Sequence, residues 1–370
     1  MNKKEVLELK KLIKPESCSF TRICGCYVDA EKQKKAVFDE PFLSLPEESV
    51  FKYMDILKKG LSGTIGKNLF NLDFPLKEEK EGGKQELLLK LRDSKLKDEE
   101  LLDLFYDKVI KSYVTAENYL ILLVHNAYDV PGRGKDGLDL EDASEEVFSY
   151  VMCVICPVTL SKGGLSYHAE SGDFQDCTRN WIANPPEIGF LFPAFNDRST
   201  DLHATLYHIK KASELHEEFV TDILGCKIGS AADEQKSMFQ NVVQEVLGDN
   251  CTFDNVKDII SKTEQMAEER REEIDTPMLT KAAMLSVLED HLDDDKEFSK
   301  IWDQETSSEE IVLDNVSDKG KCKFKMDNVE INTTNGMEDV VEIQIINGRK
   351  YLTIPYDGTM ELNGIKIFER

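Results

Sequence analysis

Hydrophobic positions recur at helical spacing at three places in the first part of the chain. The first predicted helix covers residues 2–13, has Val6, Leu9 and Ile13 on one side, and ends before Pro15. The second begins with a capping box from Ser44 to Glu47 and ends at Gly60, and its predicted buried face is Val50, Phe51, Met54 and Leu57. The third covers residues 98–113, and its apolar side is Leu101, Leu102, Phe105, Val109 and Ile110. We expect these amphipathic helices to flank a sheet.

Two later runs are apolar at nearly every position and have the length of strands. Residues 119–124 and 147–158 are therefore predicted as central strands, buried on both faces of a sheet. Residues 161–164 (SKGG) are predicted to turn the second run into residues 165–168, so that these two segments pair antiparallel.

Shorter strands are predicted on either side of these central runs. They are residues 19–28 and 35–38, joined as a hairpin; residues 87–91; and residues 187–195, which end in the polar loop 196–201. Because several of these connections are short, the sheet is expected to be mixed but largely antiparallel.

The pattern becomes helical after residue 212. Helices are predicted over residues 213–224, 233–247, 253–274 and 280–292, with Thr252 and Thr280 as N-caps. Residues 249–310 contain 19 acidic and 7 basic residues, an excess of 12 negative charges. An acidic helical section is therefore expected to follow the sheet.

The last 50 residues alternate between apolar and polar positions with period two. Strands are predicted over residues 321–325, 329–333, 340–346, 350–354, 360–362 and 365–368. Asn347-Gly348 and Asn363-Gly364 fall between strands, at positions typical of two-residue hairpin turns. The sequence as a whole predicts an α+β fold in three parts: a mixed, largely antiparallel sheet domain with flanking helices (1–225), an acidic helical section (226–312) and a small C-terminal antiparallel β-module (313–370).

The net negative charge of the chain limits the kinds of partner that it can bind. The chain has 71 acidic and 46 basic residues, which gives a net charge of −25. Nonspecific binding to nucleic acid requires clustered lysine and arginine, and anionic membranes attract the same residues, so both kinds of partner are disfavoured. No stretch reaches 18 apolar residues and the N-terminus lacks the apolar run of a signal peptide. Nine scattered cysteines, an odd number, indicate reduced thiols, and we expect a cytoplasmic protein without membrane contact.

The loop from Asn196 to His203 (NDRSTDLH) has the densest chemistry in the chain. Asp197, Asp201 and His203 are candidate ligands for a divalent cation, and Arg198 is a candidate for bidentate binding of a phosphate or carboxylate. The alternative is structural, with Asp197 and Arg198 paired to each other or capping the next segment. Arg198 as a buried strut between the sheet and that segment is a further alternative.

Residues 132–137 (GRGKDG) match a glycine-rich dinucleotide fingerprint by letter. A true fingerprint lies tightly between a strand and a helix whose N-terminus receives the pyrophosphate. This one instead leads into the segment 138–142 (LDLED), whose three carboxylates would repel an anion. A turn between two long strands is the better interpretation. Arg133 and Lys135 nevertheless form a basic spot on an acidic protein, and we retain them as partner-binding candidates.

Cysteines and histidines give weaker hypotheses of a metal site, the first of which is a zinc ion held by two cysteine pairs. Cys153 and Cys156 are three apart in a strand and point to opposite faces, while Cys24 and Cys26 share a face but supply only half of a zinc site. A three-histidine site from His203, His208 and His216 is a further metal hypothesis. Phe190, Phe192 and Phe195 with Trp181 would form an aromatic binding surface, although core packing is the default for the phenylalanines. The chain has no nucleophile-elbow, Walker A or HExxH motif.

Three sets of segments carry a resemblance to a known family. They are residues 21–28 (TRICGCYV); residues 189–198 (GFLFPAFNDR) with Asp201, Leu206-Tyr207 and residues 216–219 (HEEF); and residues 346–351 (INGRKY) with residues 363–365 (NGI). In their order and wording these segments resemble the bacterial "domain of unknown function 4317" proteins over nearly the whole chain. That resemblance implies a common layout and carries no activity, cofactor or catalytic residue with it.

For function, the sequence favours a non-enzymatic binding or regulatory protein that acts through a protein partner. The absence of catalytic motifs, the acidity and the modular ending support this interpretation. The alternative is a metal- or phosphate-dependent enzyme with its site in the Asn196–His203 loop. No cofactor is predicted, and a divalent metal at Asp197, Asp201 and His203 belongs to that alternative.

Overall fold

A computed structural model describes residues 1–133, 139–292, 295–318, 321–326, 328–333, 341–354, 360–362 and 365–367 of the 370-residue chain, without the side chains of 133, 139–145, 360–362, 365 and 367. The chain folds as two compact units. The first is Met1–Ala232 with Ile274–Thr276, and the second is Asp233–Glu273 with Pro277–Arg370.

An eight-stranded antiparallel sheet forms the centre of the first unit. The strands of this unit are β1 (Phe20–Val28), β2 (Lys34–Pro41), β3 (Leu69–Asp73), β4 (Asn118–Arg133), β5 (Asp139–Leu160), β6 (Leu165–His168), β7 (Asp173–Asp176), β8 (Trp181–Ala183), β9 (Ile188–Phe192), β10 (Ala194–Asn196), β11 (Ser199–Asp201) and β12 (Ala204–Ile209). In the sheet the order is β2-β1-β4-β5-β9-β12-β3, and β8 pairs with the end of β5. The pairings of these eight strands are antiparallel, and the predicted α+β fold is confirmed.

Helices cover both faces of this sheet. The helices of the first unit are α1 (Lys3–Leu12), α2 (Glu47–Lys59), α3 (Lys84–Asp93), α4 (Glu99–Ser112) and α5 (Glu217–Phe219), the last continued by a π-helical turn, Val220–Leu224. On one face α1 and α2 pack against Leu122 and Val124, and on the other α3 and α4 pack against Ile121 and Leu123. Successive residues of a strand point to opposite faces, so the apolar run of β4 supplies both cores.

Two local expectations in this unit are wrong. Residues 87–91, expected as a strand, lie in the helix α3, where Leu88 and Leu91 are buried about one turn apart. The α2 helix has no side-chain N-cap, because Pro46 precedes it and the Ser44 hydroxyl donates to the Pro41 carbonyl instead. In the same helix Phe51, which was expected on the buried face, is exposed to solvent.

The turn after β5 also differs from expectation. Residues 165–168 form β6 as predicted, but β6 pairs with β7, and β5 pairs with β8. The chain therefore leaves the sheet after Leu160, makes a separate two-stranded ribbon and returns at Trp181.

The second unit has a helical core. Its helices and short strands are α6 (Ala232–Leu247), α7 (Phe253–Glu269), β13 (Met278–Leu279), α8 (Lys281–Leu288), α9 (Asp295–Thr306), β14 (Ile311–Val312) and α10 (Leu313–Val316). Thr252 and Thr280 cap α7 and α8 through their side chains, as predicted. Trp302, Ile259 and Leu313 are buried together in this core.

The end of the chain forms three separate antiparallel hairpins. They are β15 (Lys323–Met326) with β16 (Val329–Asn332), β17 (Glu342–Ile346) with β18 (Arg349–Thr353), and β19 (Met360–Leu362) with β20 (Ile365–Ile367). Asn347 and Gly348 form the predicted two-residue turn, with φ of 51° and 78°. The second predicted turn, Asn363-Gly364, lies outside the described residues. The domain boundaries at 225/226 and 312/313 remain predictions.

Candidate functional site

The polar loop 196–203 contains a short β-hairpin. The strands β10 and β11 pair from Ala194–Asp201 to Asn196–Ser199, which places Asp197 and Arg198 in the two-residue turn. Both turn residues are left-handed, with φ of 51° and 57°. This conformation is uncommon for arginine and requires support from the surroundings. We call residues 194–203 the polar hairpin.

Arg198 receives that support from the helix α1. Its Nε lies 3.3 and 3.2 Å from the two carboxylate oxygens of Glu8, and its Nη2 lies 3.1 Å from Oε1. The Tyr128 hydroxyl donates to the same carboxylate at 3.0 Å. Only 12% of the Arg198 side chain is exposed. Arg198 therefore connects the turn of the polar hairpin to α1.

The other candidate ligands in the polar hairpin are separated. Asp201 accepts hydrogen bonds from the Asn196 side-chain amide (2.6 Å) and the His203 backbone N–H (2.9 Å). The His203 imidazole points elsewhere, with Nδ1 2.7 Å from Glu79, and this hydrogen bond raises the pKa of His203. Within the part of the chain that the structure describes, Asp197, Asp201 and His203 do not converge as a cluster of metal ligands.

The second strand of the polar hairpin is attached to β5. The Glu146 carboxylate accepts the Ser199 hydroxyl at 2.7 Å and the Thr200 N–H at 3.2 Å. These hydrogen bonds hold the pKa of Glu146 below its ordinary value. The hairpin is thus attached to α1 through Arg198 and to β5 through Ser199 and Thr200.

Of the two basic candidates, the backbone of Arg133 lies at the far end of the β4–β5 pair. Arg133 is the last residue of β4 and pairs with Asp139 of β5, which agrees with a turn between two long strands. Its side chain and the whole of Lys135 lie outside the described residues, and their role as binding residues remains a prediction.

Five of the nine cysteines are buried, three are half-buried and one is exposed. Cys153 packs on one face of the sheet and Cys156 on the other, while Cys24 and Cys26 share a face, as their strand positions predict. All nine cysteines are free of disulfides. Burial raises the pKa of the Cys24 thiol to about 12 and that of Cys26 to about 11, which disfavours the thiolate that would bind a metal.

The three histidines considered together in the sequence do not meet. His203 ends the polar hairpin, His208 is buried in β12, and His216 lies before α5 beside Glu187 and Glu214. Burial lowers the pKa of His208 to about 4. Neither glutamate was singled out by the sequence, because the two belong to segments that are brought together only by the sheet.

Several large aromatic side chains between residues 165 and 183 are exposed. Phe190, Phe192 and Phe195 are buried in the core, as the default interpretation holds, but 56% of Trp181 is exposed. Tyr167 of β6 and Phe174 of β7 form a cross-strand pair with ring centroids 5.4 Å apart, and they are 60% and 63% exposed. We call residues 165–183 the aromatic arm. The sequence analysis missed this pair, although the alternation of Leu165 and Tyr167 along one strand face was a usable signal.

Comparisons with known proteins identify a family for this chain but assign no activity to it. No helix in the described ranges is long and apolar enough to cross a lipid bilayer. A search of curated proteins gives no match. A family model described as "Domain of unknown function (DUF4317)" matches residues 1–365, which is nearly the whole chain, and it confirms the resemblance carried by the sequence motifs. The chain therefore belongs to the family defined by domain of unknown function 4317.

Proposed function

We propose that this protein is a non-enzymatic cytoplasmic protein that binds another protein through the aromatic arm. The observation that carries the proposal is the exposure of three large aromatic side chains, Tyr167 and Phe174 on the paired strands β6 and β7 and Trp181 on β8, the next strand along the chain. Leu165 and Ile182 add exposed apolar surface to the same segment. Patches of this kind mark interaction sites, and tryptophan and tyrosine dominate the binding energy of protein interfaces.

The high exposure of β6 and β7 also supports binding of a partner to the aromatic arm. Each residue of β7 is exposed, and in β6 only Ser166 is half-buried. A two-stranded ribbon that buries so little of either face is marginally stable in water. A protein partner that covers one face would bury the aromatic side chains and stabilise the ribbon.

Local charge favours protein over nucleic acid as the partner. Aromatic side chains also stack on single-stranded bases, but such sites combine them with a positively charged groove. Residues 161–180 contain two basic residues, Lys162 and Arg179, and three acidic ones, Glu170, Asp173 and Asp176. A local excess of negative charge on a protein of net charge −25 opposes a phosphate backbone.

The non-enzymatic and cytoplasmic parts of the proposal have separate support. The alternative was an enzyme at the Asn196–His203 loop, but Arg198 and Asp201 are engaged with Glu8 and Asn196, which favours a structural role for the polar hairpin. Nine cysteines without disulfides are typical of a reducing compartment.

The test is quantitative affinity capture from an extract of the organism that makes the protein. Wild type is compared with Tyr167→Ala/Phe174→Ala and with Trp181→Ala, and Leu76→Ala serves as the matched control because Leu76 is exposed outside the arm. We expect one protein to be captured near stoichiometrically by wild type and control, and at least about tenfold less by the arm variants. The melting temperatures should remain close to that of wild type, since the substituted side chains are exposed.

Two results would contradict the proposal. One is equal capture of the same partner by wild type and both arm variants, which would place the binding surface elsewhere. The other is the absence of any stoichiometric partner, with the purified protein monomeric at high concentration.

A further inference from the structure

Three metal-ligating side chains lie together at the end of the central sheet, apart from the polar hairpin and the aromatic arm. Glu187 immediately precedes β9, and Glu214 and His216 lie in the segment between β12 and α5. One ligand atom of each residue lies within 4.8 Å of the other two. The backbone of Glu187 is fixed by the sheet, because its N–H donates to Ile155 at 2.9 Å and its carbonyl accepts from Lys210 at 2.8 Å.

One nitrogen of the His216 imidazole lacks a hydrogen-bond partner among the described residues. This atom, Nε2, is buried. An unpaired buried polar atom costs free energy, and native structures rarely leave one without a water, an ion or a functional reason.

Tyr113, at the end of α4, holds two members of the cluster in place. Its hydroxyl donates to the Glu187 carboxylate at 2.5 Å, and its ring packs against the His216 imidazole with centroids 5.5 Å apart. Hydrogen bonds of this kind to a ligating carboxylate orient the ligands of metal sites.

Glu214 provides the open side of the cluster. It is exposed, and its carboxylate accepts Lys211 Nζ at 2.9 Å. An exposed ion pair of this kind contributes little free energy, so a cation can replace the lysine at small cost.

We propose that Glu187, Glu214 and His216 bind one divalent transition-metal cation, with Tyr113 as a positioning residue for Glu187. One imidazole nitrogen and carboxylate oxygens are a zinc-type ligand set, and the two carboxylates balance the charge of the cation. Ligand atoms around a tetrahedral zinc lie about 3.4 Å apart, so each atom would move by less than about 1 Å. The inference does not depend on the proposed protein binding, since it concerns different residues.

The experiment uses cobalt(II) as the probe on the full-length, chelator-treated protein. Cobalt is chosen because its visible absorption reports nitrogen and oxygen ligands, whereas thiolate ligands add a separate charge-transfer band, which matters in a chain with nine cysteines. We expect one equivalent to bind without the thiolate band, zinc to displace it, and magnesium not to compete.

Variants assign the ligands. Glu214→Gln, at an exposed position, and His216→Asn, which tolerates the left-handed backbone there, should weaken binding by on the order of a hundredfold. Tyr113→Phe should weaken it by about tenfold, because only the orientation of Glu187 is lost. His203→Asn is the matched control, since His203 pairs with one carboxylate, Glu79, and lies in no cluster of described residues.

The proposal is overturned by any of three results. These are no cobalt binding up to millimolar concentration, a thiolate band at the first equivalent, or wild-type affinity in Glu214→Gln and His216→Asn. Circular dichroism melts of each variant identify one that fails to fold, and Glu214→Gln then decides alone.

Discussion

Arg198 was singled out in the sequence for its chemistry, and its contact with Glu8 now gives it a structural role that can be measured. Both side chains are largely buried, with 12% and 21% exposed, and three nitrogen–oxygen distances are within 3.3 Å. The partner is 190 residues away in the chain, so no local pattern identified it. The sequence could single out Arg198 by its chemistry, but it could not identify Glu8 as its partner.

A double-mutant cycle tests this role. Because charged hydrogen bonds contribute about 1.5–3 kcal/mol, the cycle Glu8→Ala and Arg198→Ala should give a coupling free energy of about 1–3 kcal/mol in urea unfolding. Arg198→Lys should recover little of it, since lysine cannot reproduce the two-nitrogen geometry. The exposed pair Arg271–Glu268 serves as control and should show a much smaller coupling. A coupling near zero for Arg198 would return it to the list of ligand-binding candidates.

His125 predicts a pH dependence of stability. It is fully buried between the Thr21 and Ser149 hydroxyls, at 2.7 and 3.0 Å, and burial lowers its pKa to about 4 from an ordinary value of 6.5. Between these values the unfolded chain binds more protons than the folded one, so stability falls as the pH drops from 6.5 to 4, by up to about 3 kcal/mol.

The measurement is the unfolding free energy of wild type and His125→Gln between pH 7 and 4. The variant should be less stable at pH 7 because it loses fitted hydrogen bonds, yet its stability should fall less steeply on acidification. His203→Gln is the control, because the pKa of exposed His203 is raised and its removal does not flatten the slope. Parallel pH profiles for wild type and His125→Gln would show that other groups dominate.

At the scale of elements, hydrophobic period predicted some elements correctly and failed for others. The helix α4 was identified from apolar residues that recur on one side at helical spacing, and β4 and β5 were identified from runs that are apolar at nearly every position. The helix expected over residues 213–224 is reduced to Glu217–Phe219, followed by the π-helical turn Val220–Leu224. Residues 87–91 were assigned as a strand because five residues do not distinguish period two from period 3.6, and packing of Leu88 and Leu91 decided for a helix. The pairing of β5 with β8 needed knowledge of the intervening ribbon, which a local turn pattern does not contain.

A glycine in β9 is required by the close approach of β5. A Cβ at Gly189 would lie 2.7 Å from the Cys153 carbonyl oxygen, a backbone atom that cannot rotate away. We therefore expect Gly189→Ala to destabilise the protein by about 1–3 kcal/mol in urea unfolding, as overpacked core sites do. Gly164→Ala is the matched control, because nothing lies within 4 Å of its Cβ position. Equal stability of the two variants would mean that the sheet relaxes without cost.

For the whole molecule, the sequence predicted a sheet followed by acidic helices and then by hairpins. It did not predict that residues just after 312 pack into the helical core. The proposed boundary at 312/313 separates Trp302 from Leu313 and Val316, which are buried in the same helical core. The buried apolar positions of α10 were too few to be noticed as a helix, because it has only four residues.

Two truncations locate the boundary of the terminal module. Removal of residues 321–370 keeps Leu313 and Val316, so both units should retain cooperative thermal transitions close to that of the full chain. Removal of 313–370 takes these two buried side chains from the helical core, and burial losses of this size cost about 2–5 kcal/mol for each large residue. We expect the second truncation to lower or abolish the transition of the helical unit and to leave the sheet unit folded.

The substitution Leu313→Ala in the full chain separates the loss of core packing from the loss of the hairpins. It should reproduce most of the difference between the two truncated proteins, because Leu313 is completely buried. Melting of all four proteins is followed by circular dichroism at the same concentration. If removal of residues 321–370 alone abolished the cooperative transition, the hairpins would be part of a larger core. The module would then begin no later than α10 and could not be called independent.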